Sequence, residues 1–526
     1  MRARRIAALA VVPVLATVAL AACGGSGGGS SDGKISIGIG EPKHIVPTNA
    51  NDTPGGQVVE ALFTNLVVFD KANKPVNAAA EDITTSDSKV WTIKLKSGWT
   101  FHDGTPVTAQ DYIDTWNYGA YAPNAQENNS FFEGIEGYAA LQGATPAAKE
   151  LTGLKKVDDT TFTVTLDAPY AEYRAKLGYS TFVPMPKAAF ADMNKYKEAP
   201  VGQGPFKMDG TWEHDKKITV SAYDGYKGEK PKVKGIEFRV YQQPTAEYAD
   251  LQANNVDVMT TIPTESLGSA KKDLGDRFKN SPSSSFTFLA LPLYNDKFKN
   301  PEVRRAISKA IDREEITKTI FKDSRSPAYA FVSPVVAGYR ADSCGDGCKY
   351  DPAKAKELLT AAGGLPGGQL LITYNVDGGH KEWVDAICNQ LIKNLGVGCV
   401  GAGEPKFADL RTKAKAKTDI GAFRLGWAMD YPSMENYLTP VYTTNGSSNY
   451  YGYANTTFDQ TVAAGNREPT ADAAIKKYQE AEDMLAKDLP VAPLFFGQNV
   501  YGYSTKVKNV EINPFTRVDL IKIETA

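Results

Sequence analysis

Apolar and polar positions alternate with a period of two in several short runs of this chain: Trp91, Ile93 and Leu95; Phe162, Val164 and Leu166; Ile218, Val220 and Ala222; Ile236, Phe238 and Val240. Each run predicts a half-buried strand. Ser97-Gly98 then turns and Trp99 to Phe101 restarts, which predicts a hairpin. Other stretches follow helical spacing. Thr108 with Asp111 has the form of a capping box, opening a helix that carries Tyr112 and Trp116. Asn300 can cap a helix with Pro301 in its first turn, after which Val303, Ile307, Ala310 and Ile311 share one face, and Asp312 with Glu315 looks like a second cap. The last long helix is expected to start at Thr470, to bury Ala474, Tyr478, Ala481 and Leu485, and to stop at Pro490 before a buried strand from Val491 to Phe496. After Val240 a short helix with Tyr248 and Leu251 breaks at Asn254-Asn255 and returns as Val256 to Met259, a βαβ unit. Strands and helices are mixed throughout without a repeat, which implies an α/β or α+β body.

The amino terminus departs from this pattern. Arg2, Arg4 and Arg5 precede an apolar run from Ile6 to Leu20, and Leu20-Ala21-Ala22-Cys23 looks like a bacterial lipobox. The run is short for a membrane span. On this reading residues 1–22 are a lipoprotein signal peptide, Cys23 carries the lipid, and residues 23–33 form a Gly/Ser tether. Acyl chains at roughly 0.8 kcal/mol per CH₂ then hold the body on the outer face of the cytoplasmic membrane.

Composition narrows the class. A length of 526 residues allows roughly two to four domains, and 42% apolar with 23% charged residues is ordinary for a globular protein. A net charge of -2 without a concentrated basic footprint argues against nucleic acid as a partner. Besides Cys23 there are Cys344, Cys348, Cys388 and Cys399, an even number in a chain read as exported, which favours two disulfides. Pairing by proximity joins Cys344 to Cys348 and Cys388 to Cys399, and the other two connectivities remain open. The spacings of these four cysteines match no familiar zinc set, and His44, His102, His214 and His380 are isolated, so neither a metal nor a cofactor is implied.

Four segments together carry a resemblance. Trp91 to Gly98 with Phe101-His102-Asp103-Gly104-Thr105-Pro106-Val107-Thr108-Ala109-Gln110-Asp111, Gly202-Gln203-Gly204-Pro205-Phe206, Asn300-Pro301-Glu302-Val303-Arg304-Arg305-Ala306, and Gly426-Trp427-Ala428-Met429-Asp430-Tyr431-Pro432 resemble, in order, signatures of the family 5 solute-binding proteins of ABC importers, the peptide-, dipeptide- and nickel-binding group. The resemblance implies a two-lobed α/β clamshell of the periplasmic-binding-protein class II type. Lobe I would take residues 34–285 plus 496–526, with an extra subdomain at about 60–186, and lobe II residues 286–495. The chain would cross between lobes near Ser285 and Phe496.

The same resemblance implies a site. Asp430, three residues after Trp427, corresponds to the aspartate that pairs with a peptide's α-ammonium in peptide-binding members. Arg424 stands where some oligopeptide binders place an arginine for the carboxyl end. Trp427 offers a flat wall, and Gly426 and Met429 offer backbone groups for main-chain pairing, which tolerates many side chains. Tyr437, Tyr442, Tyr450, Tyr451 and Tyr453 either line pockets or fill packing gaps. The function implied is capture of oligopeptides by cleft closure and delivery to an ABC permease with its cytoplasmic ATPases. The protein would act as a monomer that touches the membrane only through its lipid. The alternatives are another solute on the same fold, namely a nickel complex, an opine or an oligosaccharide, and more remotely an exported peptidase. The chain has no Gly-x-Ser-x-Gly elbow or zinc helix to support the last.

Overall fold

The computed structural model describes residues 33–526. Cys23, the expected signal peptide and most of the expected tether lie outside the described residues. One mixed sheet of eleven strands runs through the molecule. Its order is Gly398–Glu404, Gln369–Asn375, Ala422–Trp427, Phe278–Ala290, Val491–Tyr503, Val258–Met259, Lys34–Ile39, Gly235–Val240, Lys217–Ala222 and Phe206–Met208, with Arg325–Pro327 on Val491–Tyr503. The βαβ unit expected after Val240 is present, but the strands Gly235–Val240 and Val258–Met259 lie on either side of Lys34–Ile39, parallel to it.

Two long strands, Phe278–Ala290 and Val491–Tyr503, tie the ends of this sheet together. The second was expected to end at Phe496 and instead continues to Tyr503. Its first part, Val491 to Phe496, is buried among residues from 286–496, whereas Tyr501 packs with Ile35, Ile37 and Phe238. The two strands pair from Phe278↔Gly502 to Pro282↔Gln498, slip, and resume at Phe286↔Phe496. Beyond the slip side chains alternate between faces: Phe286 and Phe288 join one core with Leu425 and Tyr437, while Leu289 joins the other with Ile307, Ile372 and Trp383.

Residues 66–182 form their own core around a four-stranded antiparallel sheet, Ala80–Thr85, Val90–Leu95, Thr161–Thr165 and Leu154–Lys156. The helix Ala109–Ala120 begins with the expected capping box at Thr108 and Asp111, and lays Tyr112 and Trp116 on Phe162 at ring distances of 5.7 and 5.5 Å. The hairpin expected at Trp99 to Phe101 does not form. Gly98 and Gly104 take φ of 77° and 87°, and the chain closes on itself through Phe101 N–H to Thr105 O at 2.8 Å and Val107 N–H to Trp99 O at 3.0 Å. That loop buries Trp99 and Phe101.

His102 links two of the sequence signatures. Its Nδ1 accepts from Gly202 N–H at 3.1 Å and its Nε2 lies 3.3 Å from Gly204 O, a pattern that fits the neutral imidazole with the proton on Nε2. Burial pushes its pKa down to about 4.

Candidate functional site

Asp430 follows the strand Ala422–Trp427 and precedes the helix Glu435–Tyr442. Asn436, buried in the first turn of that helix, organises the bend: its Oδ1 accepts from Asp430 N–H at 2.8 Å and from Trp427 Nε1–H at 3.3 Å, and its Nδ2 donates to Asp430 Oδ2 at 3.3 Å. Burial pushes the Asp430 carboxyl up to about 6, against the pull of the Asn436 amide and the Lys176 ammonium. No ion pair within 4.0 Å engages it among the described residues. A cavity of about 940 Å³ opens beside it, with Phe63, Asn65, Trp99, Tyr179, Phe515 and Arg517 among its lining residues. Arg517 is held by Glu60 at 2.7 Å.

Arg424 lies at the other end of the same segment. Its guanidinium sits 5.4 Å from the Phe407 ring centroid and donates from Nη1 to Asn375 Oδ1 at 3.3 Å, while its Nε is buried without a partner. Burial, and after it the charge of Arg325, brings its pKa down to about 10. Arg325 lies over Phe321 and Phe495 at 5.2 and 5.5 Å and is itself pulled down by burial. His380 joins them: burial, then the charges of Arg424 and Arg325, drives it down to about 3. Two arginines and a histidine thus converge without a carboxylate ion pair among the described residues.

Between these ends the strand backbone is half open. Ala422 and Phe423 are its last residues paired with Gln369–Asn375. From Arg424 to Trp427 it pairs on one side only, with Leu289 to Phe286. Gly426 lies in this stretch and is half-buried, as is Trp427. Met429 turns its side chain into the core with Leu425 and Tyr437, so it has only main-chain groups to offer. The tyrosines at 437, 442, 450, 451 and 453 fill that same core and do not line the cavity.

Arg325, His380, Lys176 and Asn436 were not picked out as site residues from the sequence. Arg325 and Lys176 come from distant parts of the chain and carry no local motif. Asn436 had a findable signal, a polar residue one turn after Pro432 and next to Glu435 in the first turn of the helix. The disulfides join Cys344 to Cys348 and Cys388 to Cys399, with Cα separations of 5.7 and 5.0 Å. The second ties the helix Lys381–Leu395 to the strand Gly398–Glu404.

Residues 74–449 match the model for bacterial extracellular solute-binding proteins, family 5. The chain is 27% identical to the oligopeptide-binding protein OppA of Bacillus subtilis, covering 94% of both, and 25% identical to the periplasmic murein peptide-binding protein MppA of Escherichia coli, covering 86% of both. Among solved structures it superposes on the unliganded open form of MppA with a TM-score of 0.80 at 23% identity, over 94% of this chain and 98% of that one. The substrate-binding protein CtaP of Listeria monocytogenes gives 0.81 at 22%, over 94% and 99%. The two-lobed fold is common to them.

Proposed function

The chain belongs to the family 5 bacterial extracellular solute-binding proteins, and on that premise we propose that it captures oligopeptides and passes them to an ABC permease, held to the membrane by a lipid on Cys23. The observation that carries this reading is a pair of half-buried, opposite charges at the ends of one open strand edge, neither of them in an ion pair within 4.0 Å among the described residues. Asp430 suits an α-ammonium and Arg424, with Arg325, suits a carboxylate. Arg424 to Trp427 offer main-chain groups to the chain between them. Each charge, partly withdrawn from water, costs free energy while unpaired and becomes favourable once a zwitterionic ligand compensates it.

Residues 34–285 with 496–526 act as one lobe and 286–495 as the other. The slip between Pro282 and Phe286 supports a hinge there, since pairing is weakest where the crossing strands lose register. Peptide that touches both lobes shifts the population toward the closed form, and enclosure is the work done; no covalent step is needed.

Titration calorimetry with trialanine and tetra-alanine tests the reading, each compared with its N-acetylated and its C-amidated form. Free peptides should bind, with at least a tenfold loss for each blocked end. No binding by any of them would overturn the proposal.

A further inference from the structure

A second cavity, of about 550 Å³, lies at the carboxyl end of the strand Lys34–Ile39. Gly38 to Gly40 form its floor. Its polar lining is five threonines, from Thr53, Thr260, Thr261, Thr264 and Thr516, and two carboxylates, Glu247 and Glu265; no lysine, arginine or histidine lines it among the described residues.

Glu247 is the unusual member. It stands in the first turn of the helix Pro244–Gln252, yet it is only 9% exposed. Its carboxylate has no hydrogen-bond or ion-pair partner among the described residues, and burial alone pushes it up to about 7. Glycine at 38 makes its position possible, because a Cβ there would overlap the Glu247 carboxylate. The head group therefore rests against bare strand backbone. A buried acid with nothing to compensate it is costly, and a glutamine would fill the same space without that cost.

We propose that this cavity is a cation subsite that takes the ammonium or guanidinium head of a basic side chain on the bound peptide. The proposal rests on the peptide reading above. Three features place it on the ligand's path. The cavity sits at the carboxyl ends of the parallel strands Lys34–Ile39, Gly235–Val240 and Val258–Met259, where open α/β sheets take their ligands. Thr516 in its wall adjoins Arg517 in the wall of the larger cavity. The volume accommodates an alkyl stem as well as its charged head. A metal ion fits less well, since no group of three or more His, Cys, Asp or Glu able to hold one occurs among the described residues.

The experiment compares tetra-alanine peptides carrying lysine or norleucine, and arginine or citrulline, at each position in turn. At one position the charged side chain should bind at least tenfold more tightly than its neutral counterpart, and Glu247→Gln should reduce that preference to within twofold while tetra-alanine itself binds as before. Equal affinity of charged and neutral forms at every position, or a preference that survives Glu247→Gln, would overturn the subsite. Should the variant not fold, the wild-type comparison decides. Failure of every peptide, tetra-alanine included, would instead sink the peptide reading. The cavity is then judged by ligand-observed NMR with n-butylguanidinium against n-butylurea: selective binding of the cation, lost in Glu247→Gln, supports it, and equal signals for the two overturn it.

Discussion

At the scale of single residues, the proposed pairing of Asp430 with a cation rests on the state of its carboxyl. Its carboxyl is raised to about 6, so it is largely ionised near neutrality, and Asn436 fixes one of its oxygens. An incoming ammonium stabilises the ionised form and pulls its pKa down again. Removing one member of such a buried pair costs about 2–5 kcal/mol, and 2 kcal/mol is about thirtyfold in affinity. Asp430→Asn should therefore weaken trialanine by at least thirtyfold and N-acetyl-trialanine by no more than twofold, as read by calorimetry; equal losses would remove Asp430 from the site. In the wild-type protein the same residue should make free-amine peptides bind less well as pH falls below about 6, because protonation then competes with binding.

At the scale of elements, the helix Pro301–Lys309 explains why the Asn300 to Ala306 signature carries Arg304. Arg304 is buried and donates to Phe298 O at 2.7 Å, Lys299 O at 3.0 Å and Leu489 O at 3.1 Å, and also to Asp488 O. The last two carbonyls end the helix Ala471–Asp488, where the ladder leaves acceptors open and Leu489 turns left-handed with φ of 43°. One guanidinium thus fastens the start of one helix to the end of another. Arg304→Met keeps the bulk and removes the donors, and buried acceptors left unmatched cost about 1–3 kcal/mol each. The expected outcome is a thermal midpoint lowered by several degrees with peptide affinity intact, checked by calorimetric scanning; an unchanged midpoint would deny the clamp. These helices were legible because their signals are local: Asn300, Asp312 and Thr470 all cap where the residue pattern puts them. The crossing strands were not. Ser281 to Ser285 break the alternation, because the strand Phe278–Ala290 changes cores as it runs. The cationic end of the site was half legible for the same reason. Arg424 lies in a recognisable segment, whereas Arg325 and His380 meet it only through sheet pairing and packing.

For the whole molecule, the question is what holds the two halves in contact away from the crossing strands. Tyr170 Oη donates to Glu435 Oε2 at 2.6 Å and lies 2.6 Å from Tyr431 Oη, which also donates to Glu435 at 2.7 Å. Ala171 N–H reaches Asn466 O at 2.8 Å, and Asn73 Nδ2 reaches Val335 O at 2.7 Å. Residues 73 and 170–172 belong to the part built around the four-stranded sheet, and Val335, Tyr431, Glu435 and Asn466 to the stretch 286–495 proposed above as the second lobe, so these bonds form a latch between them. Glu172 is buried within it. Burial, then the neighbouring Glu435 charge, pushes its carboxyl from 4.5 up to about 7, with Ser433 opposing weakly. A latched Glu172 therefore keeps its proton at a pH where a released one has lost it. The latch is strongest below about pH 4.5. It weakens by about 1.4 kcal/mol per pH unit up to about pH 7, above which both forms are ionised and the dependence flattens. Small-angle scattering of ligand-free protein should show its radius of gyration rising between pH 5 and pH 7. In Glu172→Gln, which stays neutral, the radius should remain at the low-pH value throughout. A wild-type profile flat across that window, or one that Glu172→Gln leaves unchanged, would show that Glu172 has no part in holding the halves together.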